Sequence, residues 1–216
     1  LGANRNKVHF IPCGVDTEQF SPIMLNTAEN NFFSIGRFVD KKAPLSVIQA
    51  FRKLLQEVPN AHLWMVGDGP LFTSAGKLIL DLNLSGRVHL LGVQSQEDIY
   101  KLMPSMRCFV QHSVTAKNGD KEGTPVTILE AGAVGLPIVS TSHAGIKQAV
   151  LDGVSGFLVD ENDIDGMARR MVQIAQAAPE ILIAMGEAGR AHILSNYNVV
   201  TQVAKLNAVI RNSITK

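Results

Sequence analysis

Glu122 and Glu130 have seven residues between them, with Gly123-Thr124-Pro125-Val126 directly after the first of them. Thr124 suits a helix cap and Pro125 a first helical position, so a helix is expected to start here with its free amides at a cleft. Glu122 then lies at the mouth of that helix and Glu130 about two turns inside it. A carboxylate accepts two hydroxyl hydrogen bonds, which ribose and pyranose rings offer, and helix amides suit a diphosphate. Taken singly, each glutamate reads as readily as a surface residue; combined with Gly-Thr-Pro they point to a sugar phosphate.

A second group is Gly36-Arg37-Phe38-Val39-Asp40-Lys41-Lys42-Ala43-Pro44. Arg37 offers a planar fork for two phosphate oxygens and Lys42 a point charge, beside the start of another helix. A solvated basic turn is the alternative. Gly67-Asp68-Gly69-Pro70 is not a dinucleotide fingerprint, because Phe72 stands where a third glycine belongs and the loop follows the second strand instead of the first. It reads either as a turn that lets a ligand approach the backbone or as turn punctuation alone, and Gly92-Val93-Gln94 is similar. His112 and His143 fall at or beyond strand ends and read as hydrogen-bonded loop residues. His9, His62, His89 and His192 show no partner pattern, and no metal-ligating set emerges.

The elements that would position these groups follow from the apolar pattern. Short apolar runs at residues 31–36, 61–67, 87–91, 107–111, 137–141 and 156–159 read as strands covered on both faces. Between them, residues 44–58, 71–82, 96–103 and 126–134 carry apolar side chains at helical spacing, and helix continues from Asp163 with breaks near Pro179 and Asn196. The expected fold is α/β: a Rossmann-like parallel sheet of about six strands with helices on both faces. In such a sheet ligands bind beyond the carboxyl ends of the strands, where strand order reverses. Residues 1–24 read as a linking segment, 25–197 as the Rossmann-like domain, and 198–216 as a helix whose apolar residues Val199, Val203, Leu206 and Ile210 face a partner.

The 216 residues, 46% of them hydrophobic, suit one sizeable core. Twenty basic against nineteen acidic residues give a net charge of +1, which argues against a nucleic-acid surface or a broad lipid patch, so phosphate recognition must be local. Cys13 and Cys108 have neither zinc nor redox spacing and are expected to be buried free thiols in a reducing cytoplasm. No apolar run approaches the ~18–20 residues of a membrane span. Leu1 opens the chain where a methionine would open a complete one, which suggests a portion of something longer.

Five ordered motifs together resemble the donor domain of the family 4 retaining glycosyltransferases, which have the GT-B architecture. They are Ile11-Pro12-Cys13-Gly14-Val15-Asp16 with Phe20, Gly36-Arg37 with Lys42, Gly67-Asp68-Gly69-Pro70, the run from Glu122 to Glu130, and Glu130-Ala131-Gly132-Ala133-Val134-Gly135-Leu136-Pro137. Asp120 and the Glu122-Gly123-Thr124-Pro125-Val126 run, behind a long loop, look most like bacterial exopolysaccharide transferases of the colanic-acid type. The resemblance implies that Arg37 and Lys42 hold the donor diphosphate, Glu130 the ribose hydroxyls and Glu122 the transferred sugar. It also implies that backbone at Gly36, Gly67, Gly69, Gly123, Thr124, Pro125 and Val126 lines the donor, although Pro125 has no amide hydrogen to give, and that backbone near Val93 meets the base. Cys13, Ala43 and Gln148 depart from the family pattern, which more often has Asn, Gly and Glu there.

The activity implied is transfer of a hexose from a UDP- or GDP-sugar to a saccharide or lipid-linked acceptor, with retention and without metal or other cofactor. No Asp-x-Asp carboxylate pair is expected after any predicted strand, so Arg37, Lys42 and the helix start are expected to replace a metal. The partner implied is an N-terminal acceptor domain, without which this chain is expected to be inactive, and the full protein is expected in the cytoplasm, with a place at the inner membrane face open to it. A nucleotide-binding regulatory module and a sugar-nucleotide epimerase are the other readings; two retained glutamates favour the transferase.

Overall fold

The computed structural model of the chain describes residues 8–25 and 27–214. The expected linking segment 1–24 is therefore seen only from Val8 onward. Six strands, β1 (Asn31–Ile35), β2 (His62–Val66), β3 (Val88–Gly92), β4 (Cys108–Gln111), β5 (Ile138–Thr141) and β6 (Gly156–Val159), form one sheet in the order β3-β2-β1-β4-β5-β6. Every neighbouring pair is parallel. The fold is thus the Rossmann-like α/β sheet read from the sequence. Its order reverses between β1 and β4, so the loops that leave these two strands diverge and open a crevice.

Adjacent residues of one strand face opposite sides of the sheet, and that sorts the core into two layers. Phe32 packs with Phe51, Leu54, Leu63 and Met171 under α1 (Pro44–Leu54), α2 (Phe72–Asp81) and α6 (Ile164–Gln176). Phe33 packs with Phe109, Ile128, Leu129 and Ile193 under α4 (Val126–Val134) and α7 (Pro179–Asn196). The remaining helices are α3 (Gln96–Leu102), α5 (Ile146–Ala149) and α8 (Val199–Ile214). Helix α4 is apolar almost all round because it lies between sheet and α7. A Cβ on Gly132 would come within 2.9 Å of Ile193 Cγ1, so the glycine permits that close crossing.

Two helix ends differ from the sequence reading, and one short helix is absent from it. Helix α1 stops at Leu54, not Val58, because Pro59 disfavours helical backbone in the residue before it. Pro104 likewise turns the end of α3 into a 3-10 turn over Met103–Ser105. Helix α5 is a single turn too short to show a period. Cys13 is exposed, contrary to expectation, whereas Cys108 is buried; Cys13 sits in the leading segment, outside both layers.

That leading segment is nevertheless anchored: the Val15 amide donates to Tyr197 O at 2.8 Å and the Val199 amide to Val15 O at 3.0 Å. Phe20 is buried and meets Tyr100 edge to face at 5.0 Å. Beyond this anchor α8 buries only Gln202, while Val200, Val203, Leu206 and Ile210 are 46–73% exposed. No helix among the described residues is long and apolar enough to cross a membrane.

Candidate active site

The loop after β1 turns back on itself. Asp40–Lys42 form a 3-10 turn, and Ala43 takes the left-handed conformation (φ 37°, ψ 53°) before Pro44 opens α1. The turn lays Lys42 over Gly36, where a Cβ would be 3.5 Å from the lysine Cδ and Cε. Lys42 Nζ lies 3.3 Å from Glu122 Oε2, with side chains only 16% and 10% exposed. Burial lowers the lysine pKa, and the neighbouring carboxylate opposes that shift. Glu122 Oε1 is buried and has no hydrogen-bond partner; Lys41 Nζ is 4.0 Å away, within ion-pair range but too far to donate. The structure therefore brings Gly36, Lys42 and Glu122 together, and leaves one carboxylate oxygen able to accept a hydroxyl.

The β2–α2 loop packs directly on this turn. A Cβ on Gly67 would come within 2.1 Å of Gly36 O, and one on Gly69 within 2.7 Å of Phe38 O. Loop-to-loop contact is thus enough to require both glycines, and a ligand is not needed to explain them. The Phe38 amide donates to Asp68 O and the Leu71 amide to Phe38 O, each at 2.9 Å, which fastens the loops together. Gly36, Arg37, Gly67, Gly69, Val93 and Gln94 line a cleft of about 500 Å³. Val93 is 76% exposed there. Arg37 is exposed and its guanidinium makes no ion pair or hydrogen bond among the described residues. A smaller recess joins Arg37 to Lys42 beside Ser34 and Gln111. A larger cavity, about 830 Å³, lies elsewhere, against α6 and the ends of β5 and β6, lined by Asp160, Asp163, Arg169 and Arg170. It mixes charges of both signs away from the strand-order switch, so position and charge select the smaller cleft.

On the far side of the crevice, α4 starts at Val126. This corrects the expected cap: Pro125 precedes the helix in extended conformation (ψ 124°), and Thr124 makes no capping hydrogen bond. The proline carbonyl takes the capping place, accepting the Ile128 amide at 3.1 Å. The amides of Val126 and Thr127 have no acceptor among the described residues, as expected of a helix's first turn. Gly123 and Thr124 rest on Gly145, where a Cβ would collide with Thr124 Oγ1 at 2.2 Å. Glu130 is half-buried, and burial raises its pKa. No ion pair or hydrogen bond joins it to Arg37, Lys42 or Glu122; its electrostatic neighbour is Tyr100 on the α3 side.

Two residues carry more of this site than the sequence indicates. His143, buried after β5, accepts the Glu122 amide at Nε2 (3.1 Å) and donates from Nδ1 to Glu161 Oε1 (2.6 Å). Glu161 had no motif to mark it. His112 is also buried; its Nε2 accepts the Asn162 amide at 3.0 Å, and burial pulls its pKa down to about 4. His62 and His89 do have partners, each other at 3.0 Å, with Arg87 bonded to His62. One Asp-x-Asp spacing does follow β6, Asp163-Ile164-Asp165, but its carboxylates work apart: Asp163 caps α6 through the Gly166 amide and Asp165 pairs with Lys53. Among the described residues no three His, Cys, Asp or Glu side chains converge as metal ligands.

The profile of the family described as Glycosyl transferases group 1 matches residues 15–192. The amylovoran biosynthesis glycosyltransferase AmsK of Erwinia amylovora is 30% identical over 200 residues, covering 92% of this chain and 49% of AmsK. Escherichia coli WcaL, whose name places it in colanic acid biosynthesis, gives the same identity and coverage, 30% over 200 residues, 92% and 49%. The crystal structure of Anabaena Alr3699/HepE in complex with UDP and glucose aligns with a TM-score of 0.83 at 20% identity, over 98% of this chain and 59% of that one, a likeness of fold. The chain spans about half the length of the curated relatives it matches.

Proposed function

Since this chain belongs to the glycosyl transferases group 1 family, we propose that it is the donor-binding half of a retaining enzyme that takes a hexose from a nucleoside-diphosphate sugar without a metal. The observation that carries this reading is the meeting of Lys42 and Glu122 at 3.3 Å across the strand-order switch, with Arg37 on one side and the first amides of α4 on the other. Cleavage of the bond from the anomeric carbon to phosphate leaves negative charge on the diphosphate. Arg37 grips two of its oxygens, Lys42 supplies a point charge, and the Val126 and Thr127 amides add fixed dipoles. The sugar passes through an oxocarbenium-like state held by Glu122. The acceptor hydroxyl attacks from the face of the departing phosphate, whose oxygen takes its proton. Glu130 receives the ribose hydroxyls, which relieve a carboxylate that burial disfavours, and the backbone at Val93 meets the base of a UDP- or GDP-hexose.

The acceptor, a saccharide or lipid-linked saccharide, is brought by an N-terminal domain that docks along the apolar side of α8, in a cytoplasmic protein that works at the inner membrane face. This chain alone binds donor and transfers nothing. In the full-length enzyme, Arg37→Ala and Lys42→Ala each lower turnover by roughly two to three orders of magnitude, as loss of a preorganised donor does. Near-normal turnover in both variants contradicts the assignment; nucleotide binding in a full-length protein that never transfers or hydrolyses sugar favours a regulatory module.

A further inference from the structure

The segment from β4 to α4 is long and irregular, yet Glu122 near its end must keep one position against Lys42. Sheet hydrogen bonds cannot hold it there, because the strand ends at Gln111. Two neighbouring loops do. His143, 2% exposed, follows β5 and so takes its position from the sheet. Its Nε2 accepts the Glu122 amide, which leaves the ring proton on Nδ1, donated to Glu161. That hydrogen-bond pattern defines a neutral imidazole with one tautomer. Through its other oxygen, Glu161 accepts the Thr115 amide at 2.7 Å. Hence one carboxylate and one imidazole tie together residues 115 and 122, the two ends of the irregular stretch. Within it, the Ala116 amide closes onto Asp120 O at 2.9 Å and Asp120 pairs with Lys41 at 3.2 Å. The Gly145 amide, two residues past His143, donates to Gly123 O at 2.9 Å, so the same loop holds the residue after Glu122 as well.

We propose that His143 and Glu161 are positioning residues for sugar transfer, the imidazole relaying the Glu161 carboxylate to the Glu122 backbone so that the Glu122 side chain meets the transferred sugar. This rests on the donor-site reading above. It differs from a role in folding, since Glu161 is 30% exposed and belongs to neither core layer. It also differs from a role in nucleotide binding, which falls to Arg37, Lys42 and Glu130.

The test uses the full-length enzyme with UDP-glucose or GDP-mannose, whichever the wild type turns over, and reads kcat, the affinity for UDP or GDP, and the melting temperature. Glu161→Ala is expected to lower kcat by about ten- to a hundredfold, the usual effect of losing an outer partner of a site residue, with nucleotide affinity unchanged. His143→Leu behaves alike, whereas His143→Gln, whose Oε1 can accept the Glu122 amide, recovers most of the activity. If His143→Leu fails to fold, Glu161→Ala alone decides, because its side chain lies at the surface. Wild-type kcat in Glu161→Ala and His143→Leu, beside a crippled Lys42→Ala, overturns the proposal and spares the donor site. Equal loss of nucleotide affinity and kcat also overturns it, as does a glutamine variant no better than leucine. An active Lys42→Ala defeats the donor-site reading itself.

Discussion

Lys42 and Glu122 are assigned to a substrate, yet they also hold each other, and the two roles separate in a double-mutant cycle. At 3.3 Å the gross attraction is 332/(20 × 3.3), about 5 kcal/mol at an effective dielectric constant of 20. Removing two charges from water offsets most of it, so the intact pair adds only ~1 kcal/mol or less to stability. Breaking it costs more, because the survivor stays desolvated. In Lys42→Met the carboxylate of Glu122, 10% exposed, keeps only Lys41 at 4.0 Å, and the expected loss is about 2–3 kcal/mol, just under the range for a fully buried pair. Glu122→Gln leaves an ammonium on a flexible stem that can reach water, at a cost of about 1–2 kcal/mol. The double variant returns to within about 1 kcal/mol of wild type, and the cycle yields a coupling of about 2–5 kcal/mol. Urea unfolding of the four full-length proteins measures this as a shift in midpoint at constant slope, while calorimetric titration of UDP and GDP follows the site. Nucleotide affinity stays low in the double variant although stability has recovered. A Lys42→Met protein as stable as wild type, or a double variant no more stable than the single ones, refutes the electrostatic reasoning. A double variant that binds nucleotide normally refutes the assignment of Lys42 to the diphosphate.

Ala43 holds a left-handed conformation at φ 37° that costs an L-residue about 1 kcal/mol and glycine little. Ala43→Gly should therefore raise the melting temperature by about 2–4 °C with donor affinity unchanged; a lower melting temperature shows that the greater freedom of glycine in the unfolded chain outweighs the strain. The second concerns acid. His112 has its pKa lowered from 6.5 to about 4, mainly by burial, with Asp163 and Glu161 opposing. The unfolded chain then binds a proton that the fold refuses, so the group is neutral in its effect above pH 6.5 and destabilises increasingly as pH falls towards 4. The full difference is about 3 kcal/mol, visible as a falling urea midpoint over that window. A buried neutral amide in its place, His112→Gln, flattens this slope; an unchanged slope means another group is responsible.

The sheet was legible because each strand is a short apolar run bounded by turn residues, and Phe32 and Phe33 could be assigned to opposite faces from the pleat alone. The association of Gly36 and Lys42 with Glu122 was legible too, as motifs that follow β1 and β4, the two strands at which the order reverses. Helix ends were less so. At Pro125 the sequence signal for a first helical residue was correct in kind and off by one, because its carbonyl could serve as the cap that Thr124 was expected to supply.

Local sequence determined which segments become strand or helix and which loops carry charge, since hydrophobic period and turn chemistry act within a few residues. Tertiary structure alone decided that Gly67 and Gly69 exist to let two loops touch, that His143 is a neutral acceptor under Glu122, and that Glu161 secures both ends of the loop between Thr115 and Glu122. Those outcomes depend on hydrogen bonds and close approaches between loops that only the parallel sheet brings side by side, and no spacing along the chain encodes them.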